Sequence, residues 1–494
     1  MKALQQLTSS EREFFSIVRK AAIANPFSNE RINLDTKIAQ FPNGTTTEHD
    51  IEKTIQIVEK QIELLKKKGL NEINLFSVPD RDLIEVSFLF LFFYHFRKDF
   101  DRLILSQIEA GDSPIKLDFA DKAISFLWEK GFTRESIQHH IENSYQIRRA
   151  FHFIDRNLIG RSPAMKILRF DLWNNIFTHN MDLYRRYLWN QMEDFSTLIL
   201  GETGTGKGAV AVAIGSSGFI PFDMKKQRFV ESFTRSFVSI NLSQFPETLI
   251  ESELFGHKKG SFTGAIDDHN GVFERCSSHG AIFLDEIGEI SQQIQIKLLQ
   301  VLQERVFYPV GSRKQERFQG RVIAATNHSF EELRNNKTLR DDFYYRLCSD
   351  IIFVPPLRQR IQEDPAELDD LLDFLIKRMV GESSAELTNL VKEVITTQLG
   401  RDYPWYGNVR ELEQCVRRVI LKKKYDGYSP PEKKNPASKL ATALDLGNLS
   451  ANSLLAGYCK LLYERHGTYE EVARRTKLDR RTVTKYIKDP QNLD

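Results

Sequence analysis

The side chains best placed to do chemistry are a glycine-rich run ending in lysine, Gly201-Glu202-Thr203-Gly204-Thr205-Gly206-Lys207, and a later carboxylate pair, Asp285-Glu286. The glycine run follows an apolar segment, Ser196-Thr-Leu-Ile-Leu200, and precedes Ala209-Val-Ala-Val-Ala-Ile214, which has helical composition. Strand, glycine loop and helix in that order make a phosphate cradle. The glycines let backbone N–H groups curl round an anion, the helix N-terminus adds its positive end, and Lys207 reaches the outer phosphates. Asp285 and Glu286 close the apolar run Ala281-Ile-Phe-Leu284. A carboxylate at such a strand end can hold Mg2+, and a second beside it can orient and deprotonate a water that attacks a phosphoryl group. A third run, Arg321-Val-Ile-Ala-Ala325, ends in Thr326-Asn327, a polar pair suited to sensing a terminal phosphate. Gly208 stands where most phosphate loops place Ser or Thr on the magnesium, so the metal must lean on Asp285 and on water.

These residues need a frame. The three apolar runs, bounded by glycine or polar residues, read as buried parallel strands of an α/β subdomain over 156–355. Residues 356–424 read as a helical lid. Residues 1–155 are expected to be mainly helical, with apolar residues at three- and four-residue spacing in Ile51–Leu65 and Ala120–Ile137. Val86–Phe96 is apolar but too short to span a bilayer and runs directly into Arg97, Lys98 and Asp99, so it reads as a buried core helix or strand. Residues 425–450, with Gly427, Pro430, Pro431 and Pro436, read as a linker.

Length and composition agree with several soluble domains: 494 residues, 41% hydrophobic and 28% charged, exclude low-complexity and collagen-like classes. The net charge is only +2, from 69 basic and 67 acidic side chains, so any nucleic-acid signal must be local. Four dispersed cysteines without a CxxC pair fit a reducing compartment and argue against a disulfide framework or a zinc site. The N-terminal stretch has no signal-peptide pattern. The expectation is a cytoplasmic protein with no membrane partner.

The local basic signal lies at the C-terminal end, over 451–494. Thr468 is placed to cap a helix from Tyr469 to Thr476 with Val472 and Ala473 inward; Lys477-Leu478-Asp479 makes a turn; Arg480–Lys488 makes a second helix with Val483 and Ile487 inward. The outer face then carries Arg480, Arg481, Thr482, Thr484 and Lys485, residue types that suit phosphate and base-edge contacts in a major groove. This is an all-α helix-turn-helix, and binding to a symmetric double-stranded DNA site would require at least a dimer.

The stretch Glu251-Ser-Glu-Leu-Phe-Gly256-His-Lys-Lys-Gly260-Ser-Phe-Thr-Gly-Ala265 resembles the signature of bacterial enhancer-binding proteins, the AAA+ activators of sigma-54 RNA polymerase. Their loop reads Gly-Ala-Phe-Thr-Gly-Ala where this chain has Gly-Ser-Phe-Thr-Gly-Ala. Ile159-Gly-Arg-Ser-Pro-Ala164, the phosphate loop, Asp342-Phe-Tyr-Tyr-Arg-Leu347, Pro355-Pro-Leu-Arg358 and Gly407-Asn-Val-Arg-Glu-Leu412 are similar to the family as well. The likeness spans about 159–424, and the C-terminal hairpin resembles the family's Fis-like DNA-binding domain.

The resemblance implies an AAA+ P-loop core with a parallel sheet and a helical lid, ATP and Mg2+ as cofactors, and ATP hydrolysis between subunits of a ring, usually a hexamer. It places Phe262 and Thr263 at the tip of a mobile loop that contacts sigma-54. It makes Arg340 and Arg346 trans-acting arginines, although from the residues alone they read as surface ion-pair formers. It makes Asn241 a link between Glu286 and the nucleotide, and Arg410 a lid arginine that reads bound phosphate. The implied partners are the sigma-54 RNA polymerase holoenzyme, upstream double-stranded DNA and other copies of this chain.

The chain departs from the family at four places. Gly208 replaces the glutamate that usually follows the phosphate-loop lysine. The segments Ile159–Ser196 and Gly215–Phe237 are longer than usual, the second carrying Lys225-Lys226-Gln-Arg228, read as a solvated loop. Residues 1–155 resemble no named sensor domain and show no acidic receiver pocket. Two other readings stay open: an AAA+ remodeller with a different target, and a nucleotide-sensing DNA-binding regulator without significant turnover.

Overall fold

In the computed structural model the apolar runs become a five-stranded parallel sheet: β1 Thr197–Leu200, β2 Phe237–Asn241, β3 Ala281–Asp285, β4 Arg321–Thr326 and β5 Asp350–Phe353. Their order is β2-β3-β4-β1-β5, so β1 lies inside the sheet and the phosphate loop leaves its C-terminal end. The structure describes residues 4–39, 48–335, 338–400, 402–428 and 449–488, with 440, 444 and 447. Most of the linker expected over 425–450 lies outside the described residues.

Strand alternation divides the core. Leu198, Leu200, Ile282, Leu284, Val322 and Ala324 face the helices Glu247–Phe255, Gln292–Glu304 and Asp341–Leu347. Ile199, Phe283, Ile323, Ala325 and Ile352 face the other way, onto the helix Lys207–Gly215 and the N-terminal helices. One apolar core thus runs from Phe15 near the N-terminus to the sheet, with no gap in packing at 155/156. The chain divides instead into two compact units, Met1–Tyr425 and Asp426–Asp494.

Among the N-terminal elements, the Val86–Phe96 run falls in the helix Val78–His95, with Phe88 and Phe92 buried, which decides between the helix and strand readings. The pattern over Ala120–Ile137 divides into two helices, Ala120–Trp128 and Arg134–Asn157. Gly131 supplies a left-handed turn between them (φ 84°), and Thr133 caps the second by accepting from Ser136 N–H.

In the segment 215–237 the charged run Lys225–Arg228 lies in and beside an exposed turn, while the residues flanking it pack inward. The segment folds into a short antiparallel hairpin, Phe222–Asp223 with Arg228–Phe229. Lys225 and Lys226 at its tip are exposed, but Phe222, Phe229 and Phe233 are buried. Phe229 stacks on Tyr145 with centroids 4.1 Å apart, Phe222 N–H donates to Glu142 at 2.8 Å, and Leu117 N–H donates to the Gln227 carbonyl at 2.9 Å. The charged tip hid an apolar clasp that holds the N-terminal helices to the sheet.

The lid comprises Leu357–Glu363, Glu367–Val380, Ala385–Val394 and Asn408–Lys422. Its core extends to Tyr425, which is buried and donates its hydroxyl to Glu411 at 3.1 Å. The Ile159–Ala164 motif is tied to this lid. Buried Glu367 accepts from Ser162 N–H at 2.9 Å and from Arg360 Nε at 2.6 Å, and a side chain at Gly160 (φ 136°) would collide with that carboxylate.

Phe229→Ala is expected to cost about 3–5 kcal/mol, the usual range for emptying a buried phenyl site. Urea unfolding of the full chain, followed by tryptophan fluorescence and circular dichroism, would measure it. The first unit should lose stability as a whole; an early separate transition of residues 1–155 would contradict the continuous core.

Candidate functional site

Parallel strands deliver their C-terminal ends to one edge of the sheet, and the predicted nucleotide residues gather there. The loop 201–206 joins β1 to the helix Lys207–Gly215, with Gly206 in the left-handed conformation (φ 106°) at the helix N-cap. Lys207 is nearly buried, and its ammonium donates to the carbonyls of Gly201 at 2.8 Å and Glu202 at 3.2 Å. Burial lowers its pKa; the carboxylates of Glu286 and Asp285 oppose that, and the charge of Arg410 adds to it. These four charges therefore share one site. Thr205 closes the loop by donating to the Glu202 carbonyl at 2.8 Å, and Asn327 reaches over from β4 to Thr203 Oγ1 at 3.3 Å.

Asp285 ends β3, and Glu286 immediately follows in the left-handed region (φ 56°, ψ 48°). A glutamate there carries backbone strain of order 1–3 kcal/mol, which persists only where the surroundings enforce it. Its Oε2 is buried without a hydrogen-bond partner among the described residues. An unpaired buried acceptor beside Lys207 suits a general base awaiting a water. Asp285, Glu286, the loop N–H groups and Lys207 together fit a Mg2+–nucleoside triphosphate. Gly208 is exposed and a Cβ there would meet nothing within 4 Å, so no crowding demands glycine at that position.

Asn241 departs from what the resemblance implied. Its Nδ2 approaches Asp285 Oδ2 at 3.5 Å, not Glu286, and its Oδ1 accepts from Ser243 N–H at 3.0 Å. The cause is register: β2 and β3 pair with Asn241 opposite Asp285, while Glu286 lies beyond the last pair.

Two residues with no role assigned from sequence complete the site. Arg358 grips the Glu202 carboxylate with both terminal nitrogens, at 2.8 and 2.5 Å. Asn408 donates to Glu202 at 3.1 Å and to the Thr203 carbonyl at 3.0 Å, and accepts from Leu357 N–H at 2.7 Å. Val409 N–H donates to the Gly204 carbonyl at 3.1 Å, and a side chain at Gly204 (φ 80°) would collide with the Gly407 carbonyl. The lid is thereby clamped onto the phosphate loop, with exposed Arg410 beside it. Both residues belong to motifs given above, Pro355–Arg358 and Gly407–Leu412, and that membership was the signal that could have found them.

The segment carrying Phe262 and Thr263 is a tight excursion. Gly260 N–H donates to the Ala265 carbonyl at 2.8 Å, and Gly260 (φ 77°) and Gly264 (φ 104°) take conformations that side chains disfavour. Thr263 is exposed and Phe262 is 38% exposed, its ring meeting His257 edge-on at 4.9 Å. His257 is anchored by Ser252 at 2.6 Å and pairs in backbone with His269.

Arg340 and Arg346 are not brought to the phosphate loop within one chain. Arg340 forms a two-point ion pair with Asp342 at 2.7 and 3.0 Å, and Arg346 Nε donates to the Leu302 carbonyl at 2.9 Å.

In the second unit the helices Ala451–His466, Tyr469–Thr476 and Arg480–Lys488 pack around Cys459, Leu462, Val472 and Val483. Thr468 occupies the N-cap position but makes no side-chain cap bond; Asp479 does cap the last helix, accepting from Arg481 N–H at 2.9 Å and Thr482 N–H at 3.0 Å. Arg480, Arg481 and Lys485 are exposed. Thr482 and Thr484 are half-buried, their hydroxyls bound to Asp479 and to the Arg480 carbonyl, and Arg480 pairs with Glu470 at 2.9 Å, which leaves Arg481 and Lys485 as the exposed cations of that face without an ion pair among the described residues.

The sheet order, phosphate loop, acidic strand end and clamped lid define an AAA+ P-loop nucleotide-binding domain. Residues 178–352 match the Sigma-54 interaction domain family, and over that segment the chain resembles sigma-54-dependent activators. A Nif-specific regulatory protein of Azotobacter vinelandii is 38% identical over 289 residues, 58% of this chain and 48% of that protein. The DNA-binding transcriptional regulator NtrC of Azospirillum brasilense is 38% identical over 264 residues, 53% of this chain and 47% of that protein. The chain thus spans about half the length of the curated relatives it matches. NtrX from Brucella abortus in complex with ATP aligns over 74% of this chain and 80% of that one at 20% identity, with a TM-score of 0.40, a likeness too weak to build on. Among the described residues no helix is long and apolar enough to cross a membrane.

The clamp has a pH signature. The Arg358 guanidinium, helped by Asn408, holds the Glu202 carboxyl below its usual 4.5 despite partial burial. A lowered carboxylate pKa contributes stability above the unfolded value and loses it as pH falls through the folded one. The pair is nearly half exposed, so its contribution is small, on the order of 0.2–1 kcal/mol. Arg358→Ala is expected to speed exchange of the Val409 amide at neutral pH, and the wild-type rate, corrected for intrinsic exchange, should approach the variant's below pH 4.5. Equal protection at neutral pH would remove the clamp.

Proposed function

We propose that this chain is an ATP-dependent transcriptional activator of sigma-54 RNA polymerase that binds upstream DNA and remodels the closed promoter complex into an open one. The observation that carries the proposal is the exposed Phe262–Thr263 tip within the same matched domain as the phosphate loop and Asp285-Glu286. In this reading the loop N–H groups and Lys207 hold the phosphates of ATP. Asp285 would hold Mg2+, which when bound would neutralise charge on the transferring group. Glu286 accepts a proton from the attacking water, and Asn327 and Arg410 register the terminal phosphate. Hydrolysis to ADP and phosphate drives Phe262 and Thr263 against sigma-54, and Gly260 and Gly264 let the tip move.

A ring, in the hexameric form usual for such activators, brings Arg340 and Arg346 to the neighbouring subunit's site. There the ion pair with Asp342 and the bond to Leu302 give way to nucleotide. The second unit carries Arg480, Arg481 and Lys485 to DNA phosphates and bases. The activity takes place in the cytoplasm.

Co-migration of purified protein with sigma-54 in ADP and aluminium fluoride tests the partner. A trapped complex that Thr263→Ala abolishes is the expected result; absence of any complex in a nucleotide-binding preparation points to a remodeller with another target.

A second reading, nucleotide sensing without turnover, is favoured by Gly208 alone. Steady-state phosphate release decides it. Glu286→Ala is expected to slow turnover by about 10²–10⁴-fold while retaining ATP. Gly208→Ala should stabilise its helix by roughly 0.5–1 kcal/mol and leave turnover in place. Wild-type protein that binds ATP without hydrolysing it would favour the sensing reading.

A further inference from the structure

The long 215–237 segment and the N-terminal helices meet around one side chain. Arg149, in the helix Arg134–Asn157, is completely buried. Its Nη1 donates to the Ser216 carbonyl at 2.8 Å and its Nη2 to the Gly218 carbonyl at 2.6 Å. The guanidinium lies 4.5 Å from the Tyr145 ring centroid and 5.6 Å from that of Phe233. Among the described residues no carboxylate comes within ion-pair distance. One turn earlier Gln146 donates to the Ser217 carbonyl at 3.0 Å and accepts from Tyr184 OH at 2.8 Å. Three consecutive carbonyls, 216 to 218, are therefore held by one helix of the N-terminal region.

Those carbonyls follow the end of the helix Lys207–Gly215, with Ser216 as its C-cap. A helix C-terminus leaves carbonyls unsatisfied and partly negative, and a buried cation there meets both needs. The same helix carries the phosphate loop at its other end. A helix of nine residues is a rod about 13 Å long, so a shift at Ser216 is passed to Lys207 and the loop N–H groups. Apolar packing against Ile214 and Val210 is non-directional. The two guanidinium bonds are directional and fix where the rod stands along its axis and how it is turned.

We infer that Arg149 is the positioning residue through which the N-terminal helical region sets the nucleotide affinity of the phosphate loop. The inference rests on the nucleotide-site reading but is independent of sigma-54 and DNA. It also makes the coupling reciprocal: bound nucleotide must tighten the grip on the Arg134–Asn157 helix by the same factor.

The test uses the full chain with ADP as probe. Calorimetry well below the unfolding temperature is expected to show Arg149→Gln binding ADP about tenfold more weakly, with Arg149→Lys recovering most of the loss because it keeps a cationic donor. In wild-type protein, ADP should slow amide exchange across 134–157. A folded Arg149→Gln protein with wild-type ADP affinity overturns the inference, since cement alone would change melting and not affinity. Should that variant fail to fold, the wild-type exchange decides, and no ADP-dependent change across 134–157 overturns it. Wild-type protein that binds no ADP would sink the nucleotide-site reading itself, a different failure from either of these.

Discussion

The nucleotide site depends on how the helix Lys207–Gly215 is seated. Its N-terminus must present Gly206 and Lys207 to phosphate, so its body cannot slide or rotate. Val210, Ala211, Ala213 and Ile214 bury it against β1, β3 and β4 on one side and the N-terminal helices on the other. Arg149 and Gln146 hold its far end, and Val409 and Asn408 of the lid reach the loop at its near end. Three parts of the chain distant in sequence converge on one short rod, and none of the nucleotide chemistry has a fixed geometry without them.

That convergence explains what could be read from the sequence. β1, β3 and β4 are interior strands buried on both faces, so Leu198–Leu200, Ala281–Leu284 and Val322–Ala325 form continuous apolar runs. β2 and β5 are edges, and Phe237–Asn241 keeps only Ile240 fully buried, which leaves no run to find. The phosphate loop and Asp285-Glu286 were legible because their chemistry dictates residue types in a fixed order. The Glu202–Arg358–Asn408 clamp was not, because its partners are polar residues whose proximity arises only from tertiary folding.

The apolar packing of the 215–237 segment was not legible for a related reason. Lys225, Lys226 and Arg228 form its charged run, and such runs are usually solvated. Phe222, Phe229 and Phe233 lie seven and four residues apart, a helical spacing, whereas the chain between Phe222 and Phe229 folds back as a hairpin. Their burial is imposed by Tyr145 and Phe153 from another part of the chain. Asn241 shows the converse: register fixes it opposite Asp285, a matter of strand pairing that no motif records.

The fused core bears on how such a regulator can be rebuilt. Sensor domains joined by linkers can be exchanged as cassettes, because nothing beyond the joint depends on them. Here the hairpin around Phe222 and Phe229 and the helix around Tyr145 and Arg149 are two halves of one fastening, contributed from either side of the phosphate loop. A chimera cut at residue 155 would inherit half a fastening, with bare phenylalanines and orphaned carbonyls behind the nucleotide. The smallest exchangeable cassette is therefore discontinuous: the N-terminal helices together with 215–237, moved as a pair.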